Sequence, residues 1–380
     1  MEVTLMGLEF NLDNKGCEAL AYSFVEILNS IVKEKNIDIT YHIIAYKDKP
    51  LPEIGKCDSL RIRYKSYDFW HKAKKLFKNS DLVVDFTMGD SFSDIYGFKR
   101  FARMTLLKQL AIKNSKKFIL GPQTYGPFNK TFVKKWAGWI IKNSTEVFAR
   151  DNMSVKYVKD NYKVDIKKTI DVAFALPTKL AKKLEETDKI KIGFNPSALL
   201  WNGGYNGKNQ FGLQFNYQEY CKKLLSIICN DDRYQVYLIP HVGNNALGHT
   251  SENDYYICEK LSQKFKNAIG IKENYSASEI KGIISQMDIF IGARMHATIG
   301  AFSSKVVTIP FSYSRKFEGL YNSIGYKHII SATKINLDEA INKTINYIDN
   351  YELIKIDVIK ANELVERELR DFKLQMEEIL

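Results

Sequence analysis

The sequence predicts an α/β protein made of two Rossmann-like domains that face each other across a cleft. Short apolar runs rich in β-branched and aromatic residues alternate with amphipathic segments, which is typical of βαβ units and parallel sheets. The alternation stops once near the middle of the chain and then begins again. The chain has 380 residues, 45% of them hydrophobic, and this is long enough for two separate cores.

The first domain is predicted to span residues 1–177, with helices between most of its strands. The segment "CEALAYSFVEILNSIVKEK" places Leu20, Phe24, Ile27 and Leu28 on one face, as in an amphipathic helix. Seven strands are expected in chain order: "VTLMGL", "DITYHIIA", "LRIRYKS", "DLVVDFT", "KFILGPQ", "EVFAR" and "TIDVAF".

A charged stretch after Pro177 separates this domain from the next one. We predict a linker over 178–190, because "TKLAKKLEETDK" has no strand character. The second domain is predicted over 191–350, and 351–380 reads as a long helix that can pack back across the junction. The second domain should contain the strands "KIGFNP", "YQVYLIP", "DIFIGA" and "VVTIPF", and the helices "YQEYCKKLLSIIC", "SASEIKGIISQ" and "LDEAINKTINYIDNY".

Composition narrows the class of protein. The five cysteines show no C-x-x-C spacing, so we expect reduced thiols and neither a disulfide framework nor a zinc site. No apolar run approaches the ~20 residues of a membrane span, and "MEVTLMGLEF" lacks leader features, so a soluble cytoplasmic protein is expected. The net charge of +12 favours an anionic partner: a phosphorylated metabolite, a membrane surface or nucleic acid. No nucleic-acid-binding motif supports the last of these.

The stretch "FIGARMHATIGAF" is the first candidate site, because ligands of open α/β sheets bind at the carboxyl ends of strands. Arg294 and His296 follow an apolar strand in extended geometry, so both should project into the cleft. A helix beginning at about Ala297 would add its positive end, and together these groups predict a small anionic ligand. The alternative is that Arg294 pairs with a structural carboxylate and His296 caps the helix.

Two further positions follow strands. Arg150 ends "EVFAR" in the first domain, and its position alone leaves a binding role and a structural role equally open. Asp151 is predicted to cap the helix "NMSVKYVKDNY". His241 and Asp254 lie after the strand "YQVYLIP" and could reach the cleft, although a hydrogen-bonded loop histidine is the commoner outcome.

Three glycine-containing turns follow strands of the first domain, namely "NLDNKGCEAL", "MGDSFSDIYG" and "GPQTYGPF". None is a G-x-G-x-x-G or Walker loop, so dinucleotide or ATP binding has no support. The segment "NPSALLWNGGYNGKNQFGLQFNY" mixes amides and aromatics that suit sugar rings, or is a surface loop. Candidates for the cleft or for acceptor binding are Asn14, Gly16, Gly89, Asp90, Ser91, Asp94, Gln123 and His241.

Several motifs together resemble the polysaccharide pyruvyl transferases: "NKGCEAL", "GDSFSDIYG", "LGPQTYGPF", "FARDNMSVKYV", "DVAFALP" and "GARMHATIGAFSSKVVTIPFSYSRKFEGL". Their order and spacing match over nearly the whole chain, but Met88 stands where the family usually has a glycine. The resemblance implies the B-type glycosyltransferase fold and transfer of pyruvate from phosphoenolpyruvate onto a sugar of a surface polysaccharide, such as a capsule or exopolysaccharide, as a cyclic ketal. It also implies donor-binding residues, namely Arg150, Arg294, His296, Ala297 and Lys316.

The implied reaction leaves choices open. His296 is a general acid for the methylene carbon of phosphoenolpyruvate, or it only binds the phosphate, and Arg294 and Arg150 are implied to assist the departure of phosphate. We expect no metal and no cofactor beyond the donor. The acceptor can be lipid-linked, in which case the basic chain would dock at the cytoplasmic face of the inner membrane. The rival functions are a glycosyltransferase using a nucleotide sugar, with Glu318 at the ribose, and a non-catalytic anion-binding module.

Overall fold

The computed structural model describes residues 1–46 and 48–380. The chain folds into two compact units, each an α/β structure around a parallel sheet. No helix among the described residues is long and apolar enough to cross a membrane. Unit 1 comprises Met1–Leu12, Leu20–Ala175 and Arg367–Leu380, and unit 2 comprises Asp13–Ala19 and Leu176–Glu366.

The sheet of unit 1 has seven parallel strands: β1 (Glu2–Met6), β2 (Thr40–Ala45), β3 (Cys57–Arg61), β4 (Leu82–Asp85), β5 (Phe118–Gln123), β6 (Glu146–Ala149) and β7 (Lys167–Lys168). Their order is β3-β2-β1-β4-β5-β6-β7, so the winding direction changes between β1 and β4. This is the Rossmann-like order, in which ligands bind near the point of reversal. The predicted class of this unit is confirmed.

The helices of unit 1 cover both faces of its sheet. They are α1 (Lys15–Glu34), whose first residues belong to unit 2, α2 (Tyr67–Asn79), α3 (Phe98–Asn114), α4 (Thr131–Asn143) and α5 (Asn152–Tyr162). Phe24 of α1 packs on Phe86 and on Phe372, with ring centroids 4.8 and 6.5 Å away. Asp151 caps α5 as predicted, since its side chain accepts from the amide of Ser154 at 2.7 Å.

Unit 2 has a six-stranded parallel sheet: β8 (Ile190–Asn195), β9 (Tyr234–Leu238), β10 (Ala268–Gly270), β11 (Ile289–Gly292), β12 (Val307–Ser312) and β13 (Ile330–Ser331). The strand order is β10-β9-β8-β11-β12-β13, which again reverses beside the first strand. Its helices are α6 (Ala198–Trp201), α7 (Tyr217–Ile228), α8 (Asp254–Lys264), α9 (Ala277–Ile284), α10 (Met295–Ser303), α11 (Arg315–Ser323), α12 (Leu337–Asp349) and α13 (Tyr351–Ile379), which ends in unit 1.

The predicted strand "TIDVAF" is wrong. Pairing with β6 stops at Lys168, and Val172–Ala175 form a 3-10 turn instead. The carboxylate of Asp171 accepts from the amide of Ala173 at 3.0 Å. A side chain that bonds its own backbone in this way offers the segment an alternative to the sheet ladder.

The predicted start of the helix after β11 is also wrong. The helix begins at Met295 rather than at about Ala297, with Arg294 as its N-cap residue. The amide of Thr298 donates to the carbonyl of Arg294 at 3.1 Å, which closes the first turn. His296 therefore lies inside the helix, and the extended alternation that would have aligned it with Arg294 does not exist.

A lysine buried in unit 2 should make the stability depend on pH. Lys281 is 4% exposed, and its Nζ donates to the carbonyl of Leu176 at 2.6 Å. No described carboxylate forms an ion pair with it, and burial lowers the pKa of Lys281 to about 8. An unfolded lysine titrates near pH 10.4, so the unfolded state binds more protons between these values. The free energy of unfolding should therefore rise from pH 8 to pH 10.

The test is urea unfolding of Lys281→Met at pH 7 and pH 9.5. The variant should lose the rise contributed by this lysine, about 2 kcal/mol between these two pH values, and should be more stable than the parent at pH 7. Lys266→Met is the matched control, because Lys266 is an exposed lysine of the same unit. Equal pH dependence in all three proteins would contradict a depressed pKa at Lys281.

Candidate functional site

Arg294 lies directly after β11 and is held by a buried carboxylate. Its Nε and Nη2 donate to Asp254 at 3.1 and 2.8 Å, and Nη2 also donates to the carbonyl of Glu252 at 3.1 Å. Burial disfavours the charge, but Asp254 outweighs this effect and raises the pKa of Arg294. Nη1 makes no hydrogen bond to any described residue, so one end of the guanidinium keeps its donors for another group.

Asp254 accepts hydrogen bonds from several segments of unit 2. It is fully buried, and it accepts from the amides of Ala198, His241 and Val242 at 2.8, 3.3 and 3.0 Å in addition to Arg294. One alternative from the sequence was that Arg294 pairs with a structural carboxylate. Asp254 is that carboxylate. Its role is to fix the guanidinium in one orientation, which a ligand-binding arginine also requires.

His296 lies in the first turn of α10 and packs on the start of α1. A methyl group at Gly16 would lie 2.4 Å from the His296 Nδ1, so only a glycine leaves room for the ring. The Asn14 side chain accepts from the amide of Gly16 at 3.0 Å. Asn14 also forms an antiparallel bridge with Val242, and the amide of Lys15 donates to the carbonyl of His241 at 3.2 Å. The structure thus brings Asn14, Gly16, His241 and His296 together.

His241 is 4% exposed, and neither of its ring nitrogens has a hydrogen-bond partner among the described residues. Burial lowers the pKa of His241 well below its ordinary value, and the charges of His296, Arg294 and Lys15 lower it further. A neutral imidazole offers one donor and one acceptor, and each buried group left unmet costs about 1–3 kcal/mol. Such a side chain indicates a place for a ligand or an ordered water.

Lys15, His241, Arg294 and His296 form what we call the basic cluster. Lys15 also pairs with Glu18 at 3.1 Å. Lys15 and Arg294 stand at the N-terminal ends of α1 and α10, where the helix dipole disfavours cations and favours anions. A small anion between the positive groups would offset their unfavourable positions, and such an anion stays a prediction.

Two other predicted donor ligands lie at helix starts of unit 2. Ala297 is buried in the first turn of α10, and Lys316 lies in the first turn of α11. Lys15 was missed by the sequence analysis. The signal that could have found it is a lysine in the first turn of a helix, a position where a cation is disfavoured without an anion nearby.

Gly16→Ala should disable the basic cluster with little loss of stability. The backbone of Gly16 is not in the left-handed region, so alanine fits it without strain, but its methyl group must displace the His296 ring. The resemblance implies a catalytic role for His296, so a ring misplaced by about 1 Å should lower turnover about 10²-fold, with at most a small fall in melting temperature. Gly319→Ala is the control, since a methyl group there meets no atom within 4 Å. A Gly16→Ala protein with wild-type turnover would contradict the packing of Gly16 against His296.

Arg150 lies after β6 in unit 1 and is also held by a carboxylate. Its Nη1 donates to Asp171 at 2.6 Å and its Nε to the Thr124 hydroxyl at 3.2 Å, whereas no described residue bonds Nη2. Burial opposes the charge, but Asp171, Asp90 and Asp151 raise the pKa of Arg150. The surroundings of Arg150 are therefore rich in carboxylates, unlike the basic cluster.

The Arg150 guanidinium packs closely against Gly89, which has no side chain. A methyl group on Gly89 would lie 3.1 Å from the Arg150 Nη1, and the φ of Gly89 is +83°. Thr87 and Met88 before it also have positive φ, of 45° and 55°. Met88 therefore occupies a backbone conformation that favours glycine, the residue that the family usually has there.

Asp90 and Ser91 belong to a polar group beside this turn. The hydroxyl of Ser91 accepts from Nη2 of Arg100 at 3.0 Å, and the Asp90 carboxylate accepts from the Tyr96 hydroxyl at 3.3 Å. Asp90 also lies near enough to Arg150 to contribute to its raised pKa. The role of these residues in acceptor binding stays a prediction.

Asp94 and Gln123 make structural contacts. Asp94 accepts from the amides of Asn129 and Lys130 at 3.0 and 3.2 Å and from the side chain of Asn129, so it fixes the turn before α4. The Gln123 amide donates to the carbonyl of Asp85 at 3.0 Å and thereby ties β5 to β4. Their part in acceptor binding stays a prediction.

A family model described as polysaccharide pyruvyl transferase matches residues 14–315, a range that includes Arg150 and every member of the basic cluster. The chain belongs to the polysaccharide pyruvyl transferase family. This membership confirms the predicted resemblance and indicates pyruvyl transfer in polysaccharide biosynthesis as the general activity. No curated protein sequence matches the chain.

Solved structures similar to this pyruvyl transferase family member show its fold. Sucrose-phosphate synthase from Thermosynechococcus elongatus is 9% identical with a TM-score of 0.57, and the match covers 100% of this chain and 98% of that one. A trehalose-6-phosphate synthase is 8% identical with a TM-score of 0.57, and the match covers 100% of this chain and 98% of that one. UDP-GlcNAc 2-epimerase from Neisseria meningitidis, bound to UDP-GlcNAc, is 12% identical with a TM-score of 0.55, and the match covers 98% of this chain and 100% of that one. These likenesses confirm the B-type glycosyltransferase fold class.

Proposed function

We propose that this enzyme transfers pyruvate from phosphoenolpyruvate to a sugar of a surface polysaccharide or its lipid-linked precursor, forming a cyclic ketal. The observation that carries the proposal is the basic cluster, in which four basic side chains include a buried histidine whose ring nitrogens lack described partners. Family membership supplies the reaction class, and the cluster supplies the complement to an anionic donor.

Phosphoenolpyruvate matches the chemistry of this cluster. It carries a phosphate and a carboxylate on a three-carbon frame, so it needs several donors that converge from different directions. Arg294 offers the two N–H groups of Nη1, His241 offers one ring N–H, and Lys15 adds a charge. Because Asp254 already fixes Arg294, binding the donor would cost little side-chain ordering.

The proposed chemistry needs one acid and a site for the leaving phosphate. His296 protonates the methylene carbon, and a sugar hydroxyl then adds to the carbon that bears the phosphate and returns its proton to His296. The carbon–oxygen bond to phosphate breaks, with the leaving charge stabilised by Arg294. A second hydroxyl of the same sugar closes the ketal, and its proton leaves with the phosphate. His241 is kept neutral by its surroundings, so its part is to hydrogen-bond the donor rather than to protonate it. No step requires a cofactor or a metal ion.

The test is calorimetric titration of the full chain with phosphoenolpyruvate, inorganic phosphate and UDP-GlcNAc. Wild type should bind phosphoenolpyruvate saturably and more tightly than phosphate. His241→Phe keeps an aromatic ring but removes both nitrogens, so it should bind phosphoenolpyruvate about 5- to 150-fold more weakly, with at most a small fall in melting temperature from the larger ring. His249→Phe is the control, because His249 is an exposed histidine of the same unit.

Other outcomes identify the rival functions. Binding of UDP-GlcNAc without phosphoenolpyruvate would indicate a nucleotide-sugar glycosyltransferase. The residue that this alternative needs, Glu318, accepts from Lys334 at 2.6 Å. Tight phosphoenolpyruvate binding without phosphate release in the presence of any saccharide would indicate an anion-binding module. Absence of phosphoenolpyruvate binding would overturn the proposed donor.

A further inference from the structure

The positive charge of the chain is concentrated in one part of unit 1. The stretch from Ile95 to Thr145 contains eleven lysines and arginines and no aspartate or glutamate, so its formal charge is +11. The net charge of the whole chain is +12. This stretch includes α3 and α4, which lie side by side. Lys108 is buried against Asp85, and most of the other basic side chains are exposed. The surface formed by α3, α4 and the segments before them is therefore strongly basic.

Exposed aromatic and aliphatic side chains lie within this basic surface. We call Ile95, Tyr96, Phe98 and Phe132 the aromatic patch, and their exposed fractions are 51, 40, 41 and 49%. The rings of Phe98 and Phe132 meet edge to face with centroids 5.0 Å apart, which joins the start of α3 to the start of α4. A contiguous exposed apolar group of this kind is characteristic of an interaction surface.

The segments that carry the patch are firmly held. Asp94 bonds the amides before α4, and the Ser93 hydroxyl donates to the carbonyl of Pro127 at 2.7 Å. The patch is therefore presented by a fixed scaffold, and its side chains need no rearrangement of the backbone to contact a partner.

Lysines surround the aromatic patch. Lys99 follows Phe98 on α3, Lys130 lies with its Nζ 5.7 Å from the Phe98 ring centre, and Lys134 and Lys135 follow Phe132 on α4. All four are exposed. Apolar side chains surrounded by lysines match the interface of an anionic lipid bilayer, where rings enter the headgroup level and ammonium groups meet the lipid charges.

We propose that the aromatic patch and its lysines dock the protein on an anionic lipid surface. A protein partner fits less well, because lysine is depleted at protein interfaces. The charge complementarity favours lipid phosphates, and each lysine near such a surface strengthens partitioning about fivefold. The surface shares no residue with the basic cluster, so this inference does not depend on the proposed donor or reaction.

The experiment is co-sedimentation of the full chain with vesicles of phosphatidylcholine and phosphatidylglycerol, and with vesicles of phosphatidylcholine alone. Wild type should bind the anionic vesicles, bind neutral vesicles at least tenfold more weakly, and be released by high salt. Phe98→Ser with Phe132→Ser should lower partitioning at least tenfold, and Lys134→Gln with Lys135→Gln about 25-fold.

Matched controls in unit 2 keep the test specific. Leu353→Ser replaces a side chain that is 66% exposed, and Lys266→Gln with Lys272→Gln removes two exposed lysines. Both should partition like wild type. The lysine variants and Leu353→Ser should melt like wild type because only exposed side chains change, and Phe98→Ser with Phe132→Ser should melt slightly lower because it removes the contact between the two rings. Absence of wild-type binding, or equal binding by the patch variants and the controls, would overturn the proposal.

Discussion

Replacing His296 by glutamine is expected to lower turnover of pyruvyl transfer by about 10²–10⁴-fold, because a glutamine amide cannot deliver a proton to carbon. The amide preserves part of the hydrogen bonding of the ring, so phosphoenolpyruvate should still bind with nearly unchanged affinity. The measurement is phosphate release from phosphoenolpyruvate in the presence of a saccharide acceptor, together with calorimetric titration of the donor.

The control for this variant is His249→Gln, which changes an exposed histidine of unit 2 and should leave turnover unchanged. The two roles of His296 give different results. Lost turnover with intact binding assigns the acid role, whereas equal loss of affinity and turnover assigns phosphate binding alone. Full activity of His296→Gln would contradict both roles.

Arg294→Ala is expected to destabilise the protein by about 3–5 kcal/mol, because it leaves the buried Asp254 without its countercharge. Urea unfolding monitored by circular dichroism measures this directly. Arg294→Lys should cost less, since a single ammonium still neutralises the carboxylate but cannot bind both of its oxygens.

Arg233→Ala is the matched comparison within unit 2. Arg233 pairs with Asp231 at 2.7 Å, but its side chain is 61% exposed, so its loss should cost less than about 1 kcal/mol. Equal stabilities of the Arg294 and Arg233 variants would contradict the structural weight given to Asp254. Loss of activity in Arg294→Ala alone therefore says little about donor binding, and the lysine variant is the one to assay.

The fold followed from local signals. The apolar runs of β4, β5, β11 and β12 are short, contain β-branched residues and are buried on both faces. Such runs predict strands from the sequence alone, and the structure has strands there. The strands β10 and β13 were not expected, because they have only three and two residues and depend on neighbours already in place. Asp171 ended a predicted strand through a bond to its own backbone, which hydrophobic periodicity cannot register.

The site was predictable in its residue types and less so in its geometry. Position after β11 singled out Arg294 and His296, but the relation between them was misjudged because the helix starts earlier than the apolar pattern suggested. The partnership of Arg294 with Asp254 and the packing of His296 on Gly16 join residues far apart in sequence. Contacts of this kind are set by tertiary structure, so one sequence without its fold does not reveal them.

The division of α1 between the two units limits how this protein can be dissected. Residues 15–19 of α1 belong to unit 2, and the helix from Leu20 onward belongs to unit 1. The helix α13 is divided in the same way, with its part from Arg367 onward in unit 1. A gene fragment that encodes only residues 176–366 would lack Lys15 and Gly16, and with them part of the basic cluster. Two fragments cut once at this boundary cannot each retain a whole unit, so functional mapping has to proceed by point substitution in the intact chain.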